Sequence, residues 1–156
     1  ASTLMVLRYF AGQKIASAQD AEDGILHLVA ASGPAMDETA REIADLVMSE
    51  NPSLHAKLLK DPTEAAMKEA LAGGKLIIVP AAGRQLGNPY FQSPGPPYHM
   101  LVLRGYTRDG HVITNDPGTK RGENFAYTWS ALINAIHDWN GGDVENGAKV
   151  VIVIGE

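Results

Sequence analysis

The chain has 156 residues, 45% of them hydrophobic, with a formal net charge of −5 and no cysteine. This is enough apolar chain for one packed domain spanning 1–156, and it excludes global disorder, internal disulfides and thiolate-rich metal sites. No stretch of Lys and Arg is dense enough to track a phosphate backbone, which argues against a nucleic-acid partner.

Residues 2–10 are apolar on nearly all sides and predict a helix buried at the domain centre. The chain opens inside this pattern, so the gene product is expected to extend upstream of Ala1. An Ala-rich helix follows over 16–31, with Ile25, Leu28 and Val29 on one face, broken by Ser32-Gly33-Pro34. Asp37 opens a third helix in which Ala40, Ile43, Ala44 and Val47 form one amphipathic stripe, ended by Asn51-Pro52. A short strand is expected over 54–59. In Asp61-Pro62-Thr63-Glu64, Asp is the expected cap, Pro the first helical residue and Glu the group reaching back, with the helix running to Gly73-Gly74.

The second half is strand-rich. Leu76-Ile77-Ile78-Val79 is a β-branched run stopping before Pro80, and residues 81–98 form a long Pro- and Gly-rich loop of the kind that carries function. His99–Tyr106 and His111–Asn115 predict a hairpin around Asp109-Gly110. A strand over 124–127 precedes a helix capped by Thr128, with Trp129, Leu132, Ile133 and Ile136 on its apolar face, and Val150–Ile154 closes the chain as a strand. Helices followed by mostly antiparallel strands define an α+β fold. No run approaches the roughly 18–20 apolar residues of a membrane span.

His99 begins one arm of the hairpin and Asp116 follows the other, so an antiparallel pairing brings both to one end of the sheet. A carboxylate there can accept one imidazole N–H and leave the other ring nitrogen outward as a base. A strand-end His and a turn-forming Asp-Pro-Gly explain the same spacing, and a one-residue slip in register would put the two on opposite faces. Tyr90, Phe91 and Tyr98, on the loop leading into His99, either line a peptide-binding cleft or pack on the core. His27, His55, His111 and His137 form no helical i, i+4 pair and no Cys supports one, so no metal is expected. Glu42, Glu64 and Glu69 read as solvated faces or caps.

Tyr98-His99-Met100-Leu101-Val102-Leu103-Arg104-Gly105-Tyr106, followed by Val112-Ile113-Thr114-Asn115-Asp116-Pro117-Gly118-Thr119, resembles the C-terminal half of cysteine peptidase family 39-like domains, in the papain-like clan. The likeness extends to Phe125-Ala126-Tyr127, to Trp129–Trp139 as a helix, and to the loop Ala82–Phe91. The resemblance implies a papain-like fold with N-terminal helices packed on a mostly antiparallel sheet. It also implies catalytic roles for His99 and Asp116 and a peptide or protein substrate. In that family a nucleophilic Cys starts the central helix, with an oxyanion-hole Gln upstream of it. Residues 1–10 resemble the part of that helix just after the Cys, which would therefore lie a few residues before Ala1. Ser2 would fall about a turn past the Cys position and reads as a helix-start Ser, and Gln85 does not match the family's Gln.

The resemblance implies a thiol peptidase or amide hydrolase whose nucleophile is absent from these 156 residues. The thiol chemistry it implies requires no organic cofactor. A non-catalytic peptide-binding domain and a transglutaminase- or acyltransferase-type enzyme remain open as alternatives. Bacterial members of the family are often exported, but compartment and oligomeric state are left open.

Overall fold

In the computed structural model, which describes residues 1–33 and 37–156, helices come first and strands dominate later. The order is α1 (Ser2–Phe10), α2 (Ala18–Ser32), α3 (Ala40–Glu50), β1 (His55–Lys60), α4 (Glu64–Ala72), β2 (Leu76–Ala82), β3 (Tyr98–Tyr106), β4 (His111–Asn115), β5 (Phe125–Thr128), α5 (Trp129–Ala135) and β6 (Val150–Gly155). Short 3-10 helices cover Gly83–Leu86 and Val144–Asn146.

The strands form one sheet in the order β1-β6-β2-β3-β4-β5, and each neighbouring pair is antiparallel. The fold is thus a mixed helix and antiparallel-sheet architecture. Both faces of the sheet are covered. Val6 of α1 and Ile43, Ala44 and Val47 of α3 pack with Ile78, Val102 and Ile152 on one face. Met67 of α4 and Trp129, Leu132 and Ala135 of α5 pack with Ile77, Val79, Leu101 and Leu103 on the other. This two-sided burial explains why β2 reads as a continuous apolar run rather than an alternating one.

The α3 stripe is buried at every expected position. The helix starts, however, differ from those read in the sequence. Thr39, not Asp37, caps α3: its hydroxyl accepts from Glu42 N–H, and the Glu42 carboxylate accepts from Thr39 N–H in return. Thr63, not Asp61, caps α4, because Asp61 takes a left-handed φ of 47° and gives its N–H to the Lys149 carbonyl. Threonine supplies the cap in both cases because its hydroxyl lies one residue from the first helical turn.

Other bounds shift for identifiable reasons. β2 continues through Pro80 to Ala82. Pairing with β6 stops at Ile78, and the Pro80 carbonyl accepts from His137 N–H on that vacated side, so the missing proline N–H removes no ladder bond. α5 ends at Ala135 rather than Trp139; Ile136 instead bridges to Ala81. In α1 only one face is buried, since Tyr9 is 57% exposed. In α2 Leu28 is buried while Val29 is half exposed. α2 ends at Gly33 with φ 96°; Pro34, the remainder of the expected break, lies outside the described residues.

Candidate functional site

β3 continues past the end of β4, and the site forms where the two part. The last paired residues are Val102 and Asn115, which leaves Tyr98–Leu101 on one side and Asp116 on the other. Nearer the turn, Tyr106 pairs with Val112 and Gly105 with Ile113; beyond it, Leu103 pairs with Thr114. The register therefore shifts by one at Arg104, a β-bulge. Its consequence is directional. Carried on from the turn without the shift, the register would set Asp116 opposite Val102, on the face away from His99. With the shift, Asp116 continues opposite Leu101, and His99 becomes its diagonal neighbour on the same face.

His99 Nε2 lies 2.5 Å from Asp116 Oδ1. The Asp116 side chain is fully buried and that of His99 is 14% exposed. Asp116 Oδ2 accepts from the Tyr127 hydroxyl and from Asn88 Nδ2 at 3.3 Å. Asn88 Nδ2 also lies 2.8 Å from the Tyr127 oxygen, and Asn88 Oδ1 accepts from Tyr90 N–H at 2.8 Å. The backbone of Asp116 is anchored as well, its N–H donating to the Gly122 carbonyl at 2.9 Å. Burial first, then the bond to and charge of Asp116, raise the Tyr127 phenol above its ordinary pKa and keep it a neutral donor.

A groove of about 410 Å³ opens beside this pair, lined among others by Ser2, Glu38, Phe91, Tyr98, His99 and Pro117. The Phe91 ring stands edge-on to the imidazole at a centroid distance of 5.2 Å. Tyr98 packs against Trp139, and its hydroxyl donates to the Glu38 carbonyl at 2.7 Å, tying the groove wall to the start of α3. Burial and the Asp138 carboxylate push the Tyr98 phenol up from its ordinary range. Gly83 lets the 87–97 loop close over β2: a Cβ there would stand 2.5 Å from the Pro96 carbonyl and 3.1 Å from His99 Cβ.

The structure brings Phe91, Tyr98, His99 and Asp116 together. Tyr90 sits apart from this groove. Its ring meets Phe125 at 6.0 Å, and the Arg121 guanidinium lies over it at 5.3 Å. The Ser2 hydroxyl is committed to the Met100 carbonyl at 2.9 Å, which holds the first turn of α1 against the free edge of β3. His27 pairs with Glu50, and His137 Nδ1 meets the Gly147 carbonyl. Among the described residues, no three His, Asp or Glu side chains cluster closely enough to hold a metal ion. Asn88 and Tyr127 were not distinguished in the sequence as site residues. Each sits in a segment with an adequate local explanation, a Gly-Asn-Pro turn and an alternating strand.

No protein-family model matches the chain, and no curated protein matches it. Among solved structures it resembles one described as a "putative C39-like peptidase" from Bacillus anthracis, with a TM-score of 0.54 and 13% identity. The match covers 76% of this chain and 59% of that one, so the chain spans little more than half the length of the protein it resembles. At this identity the likeness establishes a related fold. Among the described residues no helix is long and apolar enough to cross a membrane.

Proposed function

We propose that residues 1–156 are a papain-like domain of a thiol-dependent peptidase or amide hydrolase, with His99 as the base and Asp116 as the acid that orients it. The observation that carries this reading is the 2.5 Å contact from His99 Nε2 to a buried Asp116, which leaves Nδ1 as the unclaimed ring nitrogen at the groove. The proximity of the α1 start to β3, through Ser2 and Met100, supports the same reading. A thiol at or just before that helix start would lie close to the groove wall. The N-terminal end of the helix dipole and a neighbouring imidazolium both favour thiolate over thiol.

In the proposed reaction the thiolate attacks the substrate carbonyl carbon. His99, having taken the thiol proton, returns it to the leaving amine, and a water then releases the acyl group from sulfur. Asp116 holds the ring and stabilises the imidazolium. The groove, walled by Phe91 and Tyr98, would receive an extended peptide. The thiol is not among these 156 residues.

The test is alkylation of the full encoded protein by a thiol-reactive probe. One cysteine upstream of Ala1 should label at pH 6, and His99→Ala should slow that labelling about tenfold or more. An upstream cysteine that does not label in the folded protein would refute the reading. Ala, Gly or Asp at the nucleophile position would favour the second reading, a peptide-binding domain that keeps the groove without the chemistry. That reading draws support from Ser2, whose hydroxyl at the helix start is engaged with the Met100 carbonyl rather than free to attack a substrate.

A further inference from the structure

We infer that Asn88 and Tyr127 are positioning residues that determine which nitrogen of His99 carries the proton, by locking the direction of every hydrogen bond around Asp116; this rests on His99 being the base proposed above. The lock begins at a group whose polarity is unambiguous. The backbone N–H of Tyr90 can only donate, and it points at the Asn88 side-chain amide from 2.8 Å. The atom facing it must therefore be the amide oxygen, so the amide nitrogen faces inward.

That nitrogen has two protons and two neighbours, the Tyr127 oxygen at 2.8 Å and Asp116 Oδ2 at 3.3 Å. With its oxygen accepting from Asn88, Tyr127 directs its single proton to Asp116 Oδ2. Two donors now converge on Oδ2, and a carboxyl oxygen that accepts twice is best served by the ionised form. Asp116 Oδ1 is thereby left as an acceptor, and the proton between it and His99 belongs to Nε2. Nδ1 becomes the lone-pair nitrogen. The imidazole is thus set by a chain of bonds starting on the loop that also carries Phe91, the residue packed against the ring's edge. Phe91 N–H donates to the Asn88 carbonyl at 3.2 Å, so one residue holds both the groove wall and the orienting acid.

The burial supports a fixed network rather than a solvated one. Asn88 is 6% exposed, Asp116 2% and Tyr127 4%, so no member can trade a partner for bulk water without the loop opening. Truncating one partner leaves the others buried and short of a bond, which is the costly case.

The experiment is long-range proton–nitrogen NMR of the five histidine rings in the chain of 156 residues, with His99 assigned by its loss in His99→Gln. Spectra are taken above the imidazole titration. The native ring should be the Nε2–H tautomer alone, with a ring proton that exchanges slowly. Tyr127→Phe, which deletes one oxygen, and Asn88→Leu, which keeps the shape of the amide, should each admit the Nδ1–H tautomer. Each should also speed ring-proton exchange about tenfold or more, the factor expected for one lost bond to a charged acceptor. Tyr90→Phe retains its backbone N–H and should change neither signal. If Asn88→Leu does not fold, Tyr127→Phe decides the matter alone. A folded Tyr127→Phe with the native tautomer and exchange rate would overturn the inference. The readout needs no nucleophile, so it can fail while thiol labelling succeeds, or succeed while labelling fails.

Discussion

Gly122→Ala is expected to dismantle the site from a distance. Gly122 faces the backbone of Asp116 so closely that an added Cβ would lie 1.8 Å from the Asp116 carbonyl oxygen and 2.9 Å from its carbonyl carbon. Both partners are backbone, so no side chain can swing aside. Reaching even 3.0 Å, a separation that real Cβ contacts essentially never undercut, requires a displacement of more than about 1 Å. The Asp116 N–H···O=C bond to Gly122 starts at 2.9 Å and would not survive such a displacement. Overpacking of this kind costs about 1–3 kcal/mol and the lost bond about 1 kcal/mol more. The total expected loss is about 2–4 kcal/mol. If Asp116 takes up the shift, its carboxylate leaves the 2.5 Å contact with His99.

Urea unfolding followed by circular dichroism measures the first effect, and the His99 ring spectrum measures the second. Gly105→Ala is the reference, because a Cβ there meets only Ile113 Cδ1 at 3.9 Å. It should lie within about 1 kcal/mol of the native protein. The reasoning fails if Gly122→Ala matches Gly105→Ala in stability and keeps the native His99 tautomer. That result would mean the 117–122 turn does not return against Asp116.

Met67→Ala, which empties a fully buried position on the α4 face, should destabilise the fold by about 2–5 kcal/mol in urea unfolding. Leu26→Ala, at a position 59% exposed, should fall within about 0.5 kcal/mol of the native protein. Thr39→Ala should cost about 1 kcal/mol by removing the α3 cap. The Thr39 backbone N–H and hydroxyl, both bonded to the Glu42 carboxylate, hold it below the ordinary glutamate range, so this contribution is present above that range and is lost as pH falls through the depressed value. Glu42→Gln should flatten that acid-side slope in a pH series of unfolding midpoints. In a spectrophotometric titration of the five tyrosines, Tyr98 and Tyr127 should remain neutral until alkaline unfolding, since burial raises both. Each phenol stabilises the fold up to the ordinary value of 10.0, and that contribution fades only as pH climbs toward the raised one; more than three of the five tyrosines ionising before the fold is lost would contradict the buried network.

Periodicity located the elements because burial on a fixed face leaves a regular trace. Ala40, Ile43, Ala44 and Val47 show it for α3, and Asp109-Gly110 shows it for the β3–β4 hairpin. Caps were legible only to within a residue or two. Asp and Thr are both competent N-caps, and which one lies beside the first free N–H groups depends on how the preceding chain arrives. The end of α5 was misplaced because Ile136 is apolar whether it continues the helix or bridges to Ala81. His99 and Asp116 were legible as neighbours at one end of the hairpin. Their facing was not, because the one local mark of the bulge is Gly105 beside Arg104, and an isolated strand glycine does not say which residue is left unpaired. Asn88 was invisible for another reason. A Gly-Asn-Pro turn is explained locally, and burial of its amide against a residue 28 positions away is set by tertiary structure alone.

The bulge and the parting of the strands together account for why a polar pair can exist inside a sheet covered on both faces. A buried histidine and aspartate within a paired ladder would compete with apolar packing and carry a desolvation penalty of several kcal/mol per charge. Here the ladder stops at Val102 and Asn115, and side-chain and helix contacts replace what β4 would have supplied. The Met100 carbonyl, beyond the last β3–β4 pair, accepts from Ser2 on α1. Asp116, one residue past its strand, gives its N–H to Gly122 and its carboxylate to His99, Asn88 and Tyr127. The bulge then turns that carboxylate onto the face of β3 that presents His99. A deletion of Arg104 would take out the bulged residue yet leave Leu103 opposite Thr114 and Asp116 continuing opposite Leu101, so the His99–Asp116 contact should survive it. The β2–β3 pairs from Leu103 to Tyr98 would be kept as well, so loss of the His99 ring's native tautomer in a folded deletion variant would refute this account of the register.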